Sequence, residues 1–454
     1  MNNFRAIIQL KDAPKCVNKI VNLCGFVSEF SLPRKSQGTD YVSILQIVDE
    51  TLTDGELSVN IFTRKLEDLP RINAYRDFII LYNVKIEEFN GRLFAVFNKN
   101  YSSFALFGEK SNIDFEPYQA TPGFYLLEPD KLVVARTRHL SKDYQFSGGK
   151  SKYLLSLKDI DSEKDFDLIC KVLHVEVVDD VCIFFVWDGN DTPTLAVNIK
   201  LEDAERNPIQ LQIEPRPLPR HVLSGFPCIG TVLRVIAGKA HEKLDLHFKG
   251  VGKWVMIRHI TCDVCSALWH GLLSSSSKIR FLSENDDSVL QCKRTYNERE
   301  MRKEGCVPYW ITSPYFLTKL DHEDVPLATL MDLLAHSEVN TVVRCIVRVI
   351  AVCPAQVNDI FQQVGSDECR IRLTLEDPTA RIHSLICDGE GAKFFDGCSS
   401  VDVQTSQIKK LLGISELCDG WGEHYSPRFP PWIQCCIKPD LQMSYYICNT
   451  RFMN

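Results

Sequence analysis

The sequence lacks any long apolar run. No uninterrupted apolar stretch in its 454 residues approaches the roughly 20 residues that cross a bilayer as a helix. Its first residues, MNNFRAIIQLKDAPK, do not place an apolar core behind a basic start, so we expect no signal peptide. Eighteen cysteines without a secretion signal are more typical of buried thiols than of disulfides. We therefore predict a cytosolic or nuclear protein that contacts no membrane.

The sequence also lacks excess positive charge and the motifs of common enzymes. A formal net charge of -7 argues against a protein that coats duplex DNA, because such proteins neutralise many phosphates. We find no paired nucleophile and base, no H-E-x-x-H and no phosphate loop. Residues 147–151 resemble a phosphate loop only superficially, since Tyr144 stands where that motif requires glycine. We expect neither enzymatic activity nor a cofactor.

Metal binding has one weak candidate. Cys262 and Cys265 have the C-x-x-C spacing of half a zinc knuckle, but a structural zinc site needs a second pair. Cys292, Cys306 and His270 are nearest along the chain, and none has matching spacing. We therefore predict no bound metal.

The sequence does contain a motif that occurs three times. Residues 41–48 alternate between apolar and other side chains before Asp49-Glu50-Thr51, and a second alternating run at 57–62 follows an Asp-Gly turn. The same order of apolar strand and terminating aspartate recurs at residues 182–192 and 369–379. The chain is therefore interpreted as a threefold repeat.

Each copy of the motif lies within a set of five predicted strands. An apolar run precedes each copy, at residues 21–27, 166–175 and 342–351. A strand pair follows each copy, at 78–86 with 93–97, 228–236 with 244–248, and 432–437 with 444–452. Five antiparallel strands in about a hundred residues are typical of the Greek-key barrel called the OB-fold. We predict an all-β protein with minor helices, built as three tandem OB-fold barrels.

Changes in composition set the predicted boundaries. The first barrel spans residues 1–116 and is followed by a linker at 117–150, which contains several prolines. The second barrel spans 151–271, and a serine-rich, charged linker follows at 272–320. The third barrel spans 321–454, and a helix at 407–412, closed by Gly413, is predicted to plug it between its third and fourth strands.

Candidate ligand-binding residues follow from how OB-folds bind single strands. The ligand lies across strands 2 and 3 and the loops between strands 1 and 2 and between 4 and 5, where aromatic residues stack on bases and basic residues hold phosphates. In the first barrel these places contain Arg34, Thr39, Asp40, Tyr41, Phe62, Arg64, Lys85, Phe89 and Arg92. Phe62 is the strongest candidate, because Val59 and Ile61 share the other face of its strand.

The alternative for any strand aromatic is a position in the barrel core, which is at least as common as contact with a ligand.

In the second barrel the same reasoning gives Trp187, Lys249 and Trp254. Trp254 follows Gly250, Gly252 and a lysine, so we expect it to be a loop platform for a base. Trp187 is either a ligand contact or part of the core.

Several segments resemble the protection-of-telomeres family. They are QGTDYVSILQIVDET, NIFTRKLEDLP and FDLICKVLHVEVVDDVCIFFVWDGNDTP, and YSSFALF resembles plant members. The third barrel is similar more faintly, through ECRIRLTLEDPTARIHSLICDGEGAKFF and PPWIQCCIK. The resemblance implies a nuclear protein whose first two barrels hold the G-rich single-stranded telomeric overhang, while the third binds proteins. By position it assigns DNA contacts to Thr39, Asp40, Phe62, Lys85, Phe89, Lys249 and Trp254.

Two functions remain open at this point. In the first, the protein caps chromosome ends, protects the overhang, and regulates telomerase access and telomere length. In the second, it is an accessory subunit of telomerase that acts through protein or ribonucleoprotein contacts and binds DNA weakly. The expected partners are single-stranded telomeric DNA, the telomerase ribonucleoprotein and proteins of the end-capping and replication complex.

Overall fold

The computed structural model is mostly β and divides into two compact units. The first comprises residues 1–190, 231–263 and 270–297, and the second comprises 191–230, 264–269 and 298–454. The structure describes residues 6–52, 55–108, 115–141, 151–178, 181–193, 218–223, 225–227, 229–238, 248–265, 268–302, 317–322, 324–335, 341–353, 371–377, 380–387, 389–395, 397, 400–414, 428–440 and 444–453. None of the helices in these ranges is long and apolar enough to span a membrane.

The strands of the first two barrels are β1 Ile7–Ile8, β2 Ile20–Ser31, β3 Arg34–Lys35, β4 Tyr41–Val48, β5 Leu57–Thr63, β6 Phe78–Phe89, β7 Arg92–Phe97, β8 Ser103–Phe107, β9 Gln119–Ala120, β10 Leu154–Leu155, β11 Phe166–Val178, β12 Val181–Trp187, β13 Leu233–Ala237, β14 Trp254–Cys265 and β15 Leu268–Phe281. The 3-10 helices are Leu10–Cys16, Leu66–Asp68 and Leu157–Asp159. The α-helices are α1 Glu128–Leu140, α2 Arg220–Leu223 and α3 Asp287–Met301.

The remaining strands are β16 Thr318–Leu320, β17 Val343–Cys353, β18 Ile371–Glu376, β19 Arg381–Ile386, β20 Trp432–Pro439, β21 Tyr445–Cys448 and β22 Thr450–Phe452. The helices of this part are α4 Leu330–Ala335, α5 Glu390–Phe394 and α6 Val401–Leu412. β16 pairs with β22 in a small separate sheet.

All three barrels close in the same strand order. The first runs β2-β4-β5-β7-β6 and returns to β2, the second runs β11-β12-β13-β15-β14 and returns to β11, and the third is β17-β18-β19-β21-β20. In each barrel the third and fifth strands are parallel neighbours. This is the five-stranded Greek-key order of the OB-fold. The predicted fold class, three tandem OB-fold barrels with minor helices, is confirmed.

Strand β5 shows how the sequence produces the barrel wall. Leu57, Val59 and Ile61 are buried and alternate with half-buried Ser58, Asn60 and Phe62. β5 pairs with β4 in an unbroken antiparallel register along its whole length. Because successive side chains on a strand point to opposite faces, the alternation sends one set into the core.

The last strands of the second barrel lie elsewhere than predicted. The sequence pattern predicted the fourth and fifth strands at residues 228–236 and 244–248. In the structure the fourth and fifth strands are β14 and β15. Residues 244–247 lie outside the described ranges. β15 contains a run of serines without apolar alternation, so the sequence pattern did not predict a strand there. These serines are hydrogen-bonded, since Ser277 Oγ donates to the carbonyl of His259 at 2.8 Å. The predicted linker at 272–320 therefore needs correction, because β15 extends into it and α3 lies within it.

Residues 117–150, predicted as a linker, include a helix that packs on the first barrel. α1 begins with a proline in its first turn, where the missing N–H costs little. Its Val134 is fully buried in one core cluster with barrel residues. Its Asp130 accepts a hydrogen bond from Tyr82 Oη at 2.6 Å. The helix therefore belongs to the first barrel, and residues 142–150 lie outside the described ranges.

The predicted plug of the third barrel is confirmed. Helix α6 lies between the third and fourth strands, β19 and β20, and Ile408, Leu411 and Leu412 are buried in the barrel core. Gly413 ends the helix with a φ of 64°, a left-handed conformation that glycine adopts without steric cost.

An aspartate has the same role in all three barrels. It follows the second strand, and its carboxylate accepts a hydrogen bond from the backbone N–H of a leucine that begins the helical segment before the first strand. The pairs are Asp49 with Leu10 at 2.9 Å, Asp188 with Leu157 at 2.8 Å, and Asp377 with Leu330 at 2.7 Å. The other carboxylate oxygen accepts a backbone N–H just beyond the strand, from Thr51, Asn190 and Ala380 respectively.

These aspartates explain the repeated sequence motif. The three leucines are at most 2% exposed, so each amide leaves water when its side chain is buried. The first amides of a helical segment have no partner within it, and a carboxylate at this position satisfies one of them. The motif therefore links the end of the second strand to the helical segment that precedes the first strand.

We expect Asp49→Ala to lower the free energy of unfolding of the first barrel by about 1–3 kcal/mol, because the buried N–H of Leu10 loses its acceptor. Hydrogen exchange of first-barrel peptides in the full chain measures this quantity. The control is Glu67→Ala, an exposed acidic residue of the same barrel, which should leave exchange unchanged. Equal exchange in both variants would contradict the coupling.

Candidate nucleic-acid interface

One side of the first barrel presents half-buried side chains from four strands. We call it the outer face; its members are Ile44, Asn60, Phe62, Lys85, Phe94 and Val96. Each lies next to a buried residue on its own strand, so strand alternation directs it away from the core. Phe62 therefore lies where the sequence predicted, with Asn60 and opposite Val59 and Ile61.

The strand register places these side chains in neighbouring rows. The first row runs Lys85, Val96, Asn60, Ile44 across four strands, and the second runs Glu87, Phe94, Ser58, Gln46, Glu29 across five. Phe62 lies two residues beyond Asn60 and pairs with Val42. The outer face therefore combines two partly exposed phenylalanine rings with polar neighbours, which is the composition on which nucleobases stack.

The charges near the outer face are partly paired with each other. Lys85 Nζ lies 2.8 Å from Glu87 Oε1, and hydrogen bonding to this carboxylate raises the pKa of Lys85. Lys99 Nζ lies 2.7 Å from Asp40 Oδ1, which joins two loops at the barrel edge. A phosphate that approaches Lys85 therefore competes with Glu87.

Three other candidates are exposed. Phe89 is 69% exposed beside the turn that joins β6 to β7, where Asn90 and Gly91 have φ values of 49° and 72°. Positive φ at both turn residues is typical of a tight hairpin. Arg92 pairs with Phe89 across this turn, and Arg64 follows β5. Within the described ranges neither arginine forms an ion pair, so both guanidinium groups face solvent.

The last candidates of the first barrel divide between two sides. Arg34 pairs with Val42, which pairs with Phe62, so Arg34 lies on the same side as Phe62. Thr39 is exposed in the loop before β4. Tyr41 pairs with Thr63 and therefore lies on the opposite side from Phe62. Tyr41 is not part of the outer face.

The second barrel does not present the aromatic residues that the sequence predicted. Trp254 is 2% exposed at the start of β14, so the prediction of a loop platform is wrong. Trp187 is 5% exposed; its ring centroid lies 6.1 Å from that of Trp254 and 5.3 Å from that of Tyr296 on α3. Trp187 is therefore part of the core and not a ligand contact. Lys249 is exposed, as a phosphate contact requires.

Buried side chains with charged partners lie on the strands of the other two barrels. In the second barrel Phe185 is buried under the guanidinium of Arg234, 5.7 Å from the ring centroid. In the third barrel Arg348 Nη2 lies 2.8 Å from Glu376 Oε1, and Arg381 binds the other oxygen of the same carboxylate. Phe185 is thus shielded in the second barrel, whereas Phe62 and Phe94 of the first barrel are partly exposed.

The possible zinc knuckle has one described cysteine side chain. Cys262 is buried on β14, where burial raises the pKa of its thiol to about 12. The side chain of Cys265 lies outside the described ranges. Among described side chains, no three of His, Cys, Asp or Glu are grouped to hold a metal ion. The absence of zinc stays a prediction.

Sequence reasoning missed three residues of this region. Phe94 and Glu87 lie on the outer side of β7 and β6, and the alternation test that selected Phe62 could also have selected them. Lys99 pairs with Asp40 across 59 residues of chain. No local signal in the sequence indicates that pair.

Comparison with known families decides what the chain is related to. The family model "Telomeric single stranded DNA binding POT1/CDC13" matches residues 3–150, and "POT1A-like, OB fold domain" matches residues 313–450. Protection of telomeres protein 1a of Arabidopsis thaliana is 33% identical over 97% of this chain and 94% of its own length. The chain belongs to the protection-of-telomeres family. Protein 1b of this family from the same plant is also 33% identical, over 95% of this chain and 92% of its own length.

Solved structures of single-strand complexes are also similar to this family member. Fission yeast Pot1 with ssDNA aligns over 66% of this chain and 95% of its own, at 13% identity and a TM-score of 0.27. A replication protein A heterotrimer bound to ssDNA aligns over 96% and 94%, at 9% identity and a TM-score of 0.31. Membership of the protection-of-telomeres family therefore rests on the sequence matches.

We expect Phe62→Ala to change the free energy of unfolding of the first barrel by less than about 1 kcal/mol, because the ring is only half-buried. Phe97→Ala should cost about 3–5 kcal/mol, because Phe97 is a buried core ring of the same barrel. Hydrogen exchange of first-barrel peptides compares the two variants. Equal losses would place Phe62 in the core and remove it from the outer face.

Proposed function

We propose that the chain binds single-stranded telomeric DNA at chromosome ends in the nucleus, through the outer face of its first barrel. The observation that carries this proposal is the pair of partly exposed rings, Phe62 and Phe94, on a polar strand face. That face lies within residues 3–150, which match the telomeric single-strand-binding family model. Stacking on aromatic rings is how OB-folds hold single strands.

The remaining aromatic and basic candidates each have a chemical role in this proposal. Phe62 and Phe94 stack on bases, while exposed Phe89 supplies a further ring at the hairpin. Arg34 and Lys85 lie on the same side and hold phosphates, each as a positive charge on a half-buried stem. Exposed Arg64, Arg92 and Lys249 add phosphate contacts at the barrel edges.

The finer parts of the proposal concern the DNA sequence and the partners. We propose that the strand is G-rich, that binding protects the overhang, and that it regulates telomerase access and telomere length without catalysis. The third barrel is proposed to contact proteins of the telomerase or end-capping complexes. Residues 313–450 match a separate family model, which supports a distinct role for this part.

We expect Phe62→Ala to weaken binding to a G-rich telomeric oligonucleotide by about 1–3 kcal/mol, the contribution of one stacked base. Fluorescence anisotropy with the full chain at fixed salt measures the dissociation constant. Tyr125→Ala is the matched control, because it removes an aromatic ring that is 74% exposed outside the outer face. An unchanged affinity for Phe62→Ala would remove this residue from the site.

The oligonucleotide controls decide between the two functions. A scrambled strand of the same composition and the corresponding duplex should bind more weakly than the telomeric strand. If the parent chain binds none of them, the proposed function fails, and an accessory role in telomerase through protein contacts replaces it.

The pairing of Lys85 with Glu87 gives a separate test. Lys85→Ala should reduce the slope of log K against log salt concentration by about 1, as for the loss of one phosphate contact. Glu87→Gln should instead tighten binding, because it removes the carboxylate that holds Lys85 Nζ at 2.8 Å. Titrations at several salt concentrations measure both effects. Identical slopes for the parent and Lys85→Ala would show that this amine touches no phosphate.

A further inference from the structure

Glu29 is a buried carboxylate where the first barrel meets the second. It is 1% exposed and lies on β2, directly after an irregularity in which the pairing with β4 shifts. Such a bulge redirects the side chains of the strand that contains it. A carboxylate is buried this deeply only where cations and hydrogen bonds compensate for its lost hydration.

The compensating cations all come from the second barrel. Arg258 Nη1 lies 2.9 Å from Glu29 Oε1 and 3.2 Å from Oε2. Arg280 Nη2 donates to Oε1 at 2.8 Å, and Lys278 Nζ lies 4.0 Å from Oε2. These residues lie on β14 and β15, more than 220 positions from Glu29 along the chain. Glu29 therefore keeps its partners only while the two barrels are docked.

The charges at this junction balance within the protein. Arg258 also binds Asp167 at 3.2 Å, and Arg280 binds Glu56 at 3.0 Å. Burial alone lowers the pKa of Arg258, but Glu29 and Asp167 together raise it above its ordinary value. Three cations thus face three carboxylates, which leaves no excess positive charge to attract a phosphate. The cluster therefore connects the two barrels through ion pairs and does not form a binding site for an anion.

Other contacts at the junction share the same elements. β15 pairs with β2 through Lys278 with Ser31 and Ile279 with Phe30. The rings of Phe30 and Phe281 lie 5.6 Å apart between centroids. Glu29 is next to this ladder in sequence. Its ion pairs therefore hold the point at which the two sheets join.

We propose that Glu29 is a positioning residue that fixes the second barrel against the first, so that one DNA strand can contact both. This inference rests on the proposed function. Glu29 ends the row that begins with Glu87 and Phe94 on the outer-face side, so the joint lies at the border of that face. A fixed joint makes contact with the second barrel an intramolecular event, which raises overall affinity without a new contact.

The test uses Glu29→Gln in the full chain and two single strands of the same G-rich repeat. One has about 6 nucleotides, enough for one OB-fold, and the other about 14, enough for two. We expect affinity for the short strand to stay unchanged and affinity for the long strand to fall about tenfold, because the loosened joint lowers the effective concentration of the second barrel. The matched control is Glu67→Gln, which changes an exposed carboxylate of the first barrel outside the junction and should leave both affinities near the parent values.

A second variant guards against an indirect effect of Glu29→Gln. Arg280→Gln removes the opposite partner, so it should reproduce the loss on the long strand, and the double variant should be no weaker than either single variant. Hydrogen exchange of peptides that cover residues 278–281 should accelerate in Glu29→Gln while peptides from the β5 core stay protected. This exchange measurement reports on the joint even without DNA.

The outcomes separate the two proposals. A parent chain that binds neither strand ends the proposed function, and the exchange measurement then decides whether Glu29 holds the joint. A parent that binds both, with a Glu29→Gln variant that binds the long strand equally well, overturns the positioning role. Equal losses on the short and long strands also overturn it, because they indicate damage within the first barrel.

Discussion

Each barrel depends on one hydrogen bond, in which a buried aspartate accepts the backbone N–H of the leucine that begins the helical segment before the first strand. The aspartate follows the second strand, as Asp49, Asp188 and Asp377. Its hydrogen bond therefore fixes where that strand ends relative to the helical segment before the first strand. A slip of one residue in a strand exchanges its two faces. In β5 such a slip would turn Phe62 into the core and Ile61 outward. The repeated geometry of these three hydrogen bonds therefore also sets which side chains a ligand can reach.

The three barrels use this common frame to present different surfaces. The first leaves Phe62 and Phe94 partly exposed on its third and fifth strands, whereas the third buries the ion pairs of Arg348, Glu376 and Arg381 on its first three strands. Removing one partner from a buried ion pair is costly, because the remaining charge loses its compensation. A ligand that opened this network would have to offset that cost. The ion pair of Lys85 on the outer face is partly exposed, so a ligand there meets no such cost.

The sequence predicts those features that depend on neighbours along the chain. Alternation located β4 and β5 and the direction of Phe62, because strand periodicity is local. It could not locate β15, whose serines carry hydrogen bonds instead of an apolar pattern. Trp187 is buried against Trp254 of β14 and Tyr296 of α3, which are distant from it along the chain, so its burial has no local sequence signal. Glu29 finds its cations more than 220 residues along the chain, and no local pattern encodes that distance.

The acidic composition of the chain is compatible with binding a polyanion. Many of its carboxylates are committed to cations of the protein itself, as Glu29 is to Arg258 and Arg280, and as Asp40 is to Lys99. The same pairing leaves few cations on the outer face without a partner, so few counterions are available for release when DNA binds. Stacking on rings such as Phe62 must therefore supply a larger share of the affinity than charge neutralisation does. In the proposed function this arrangement favours single strands over duplex, because only unpaired bases expose the faces that stack.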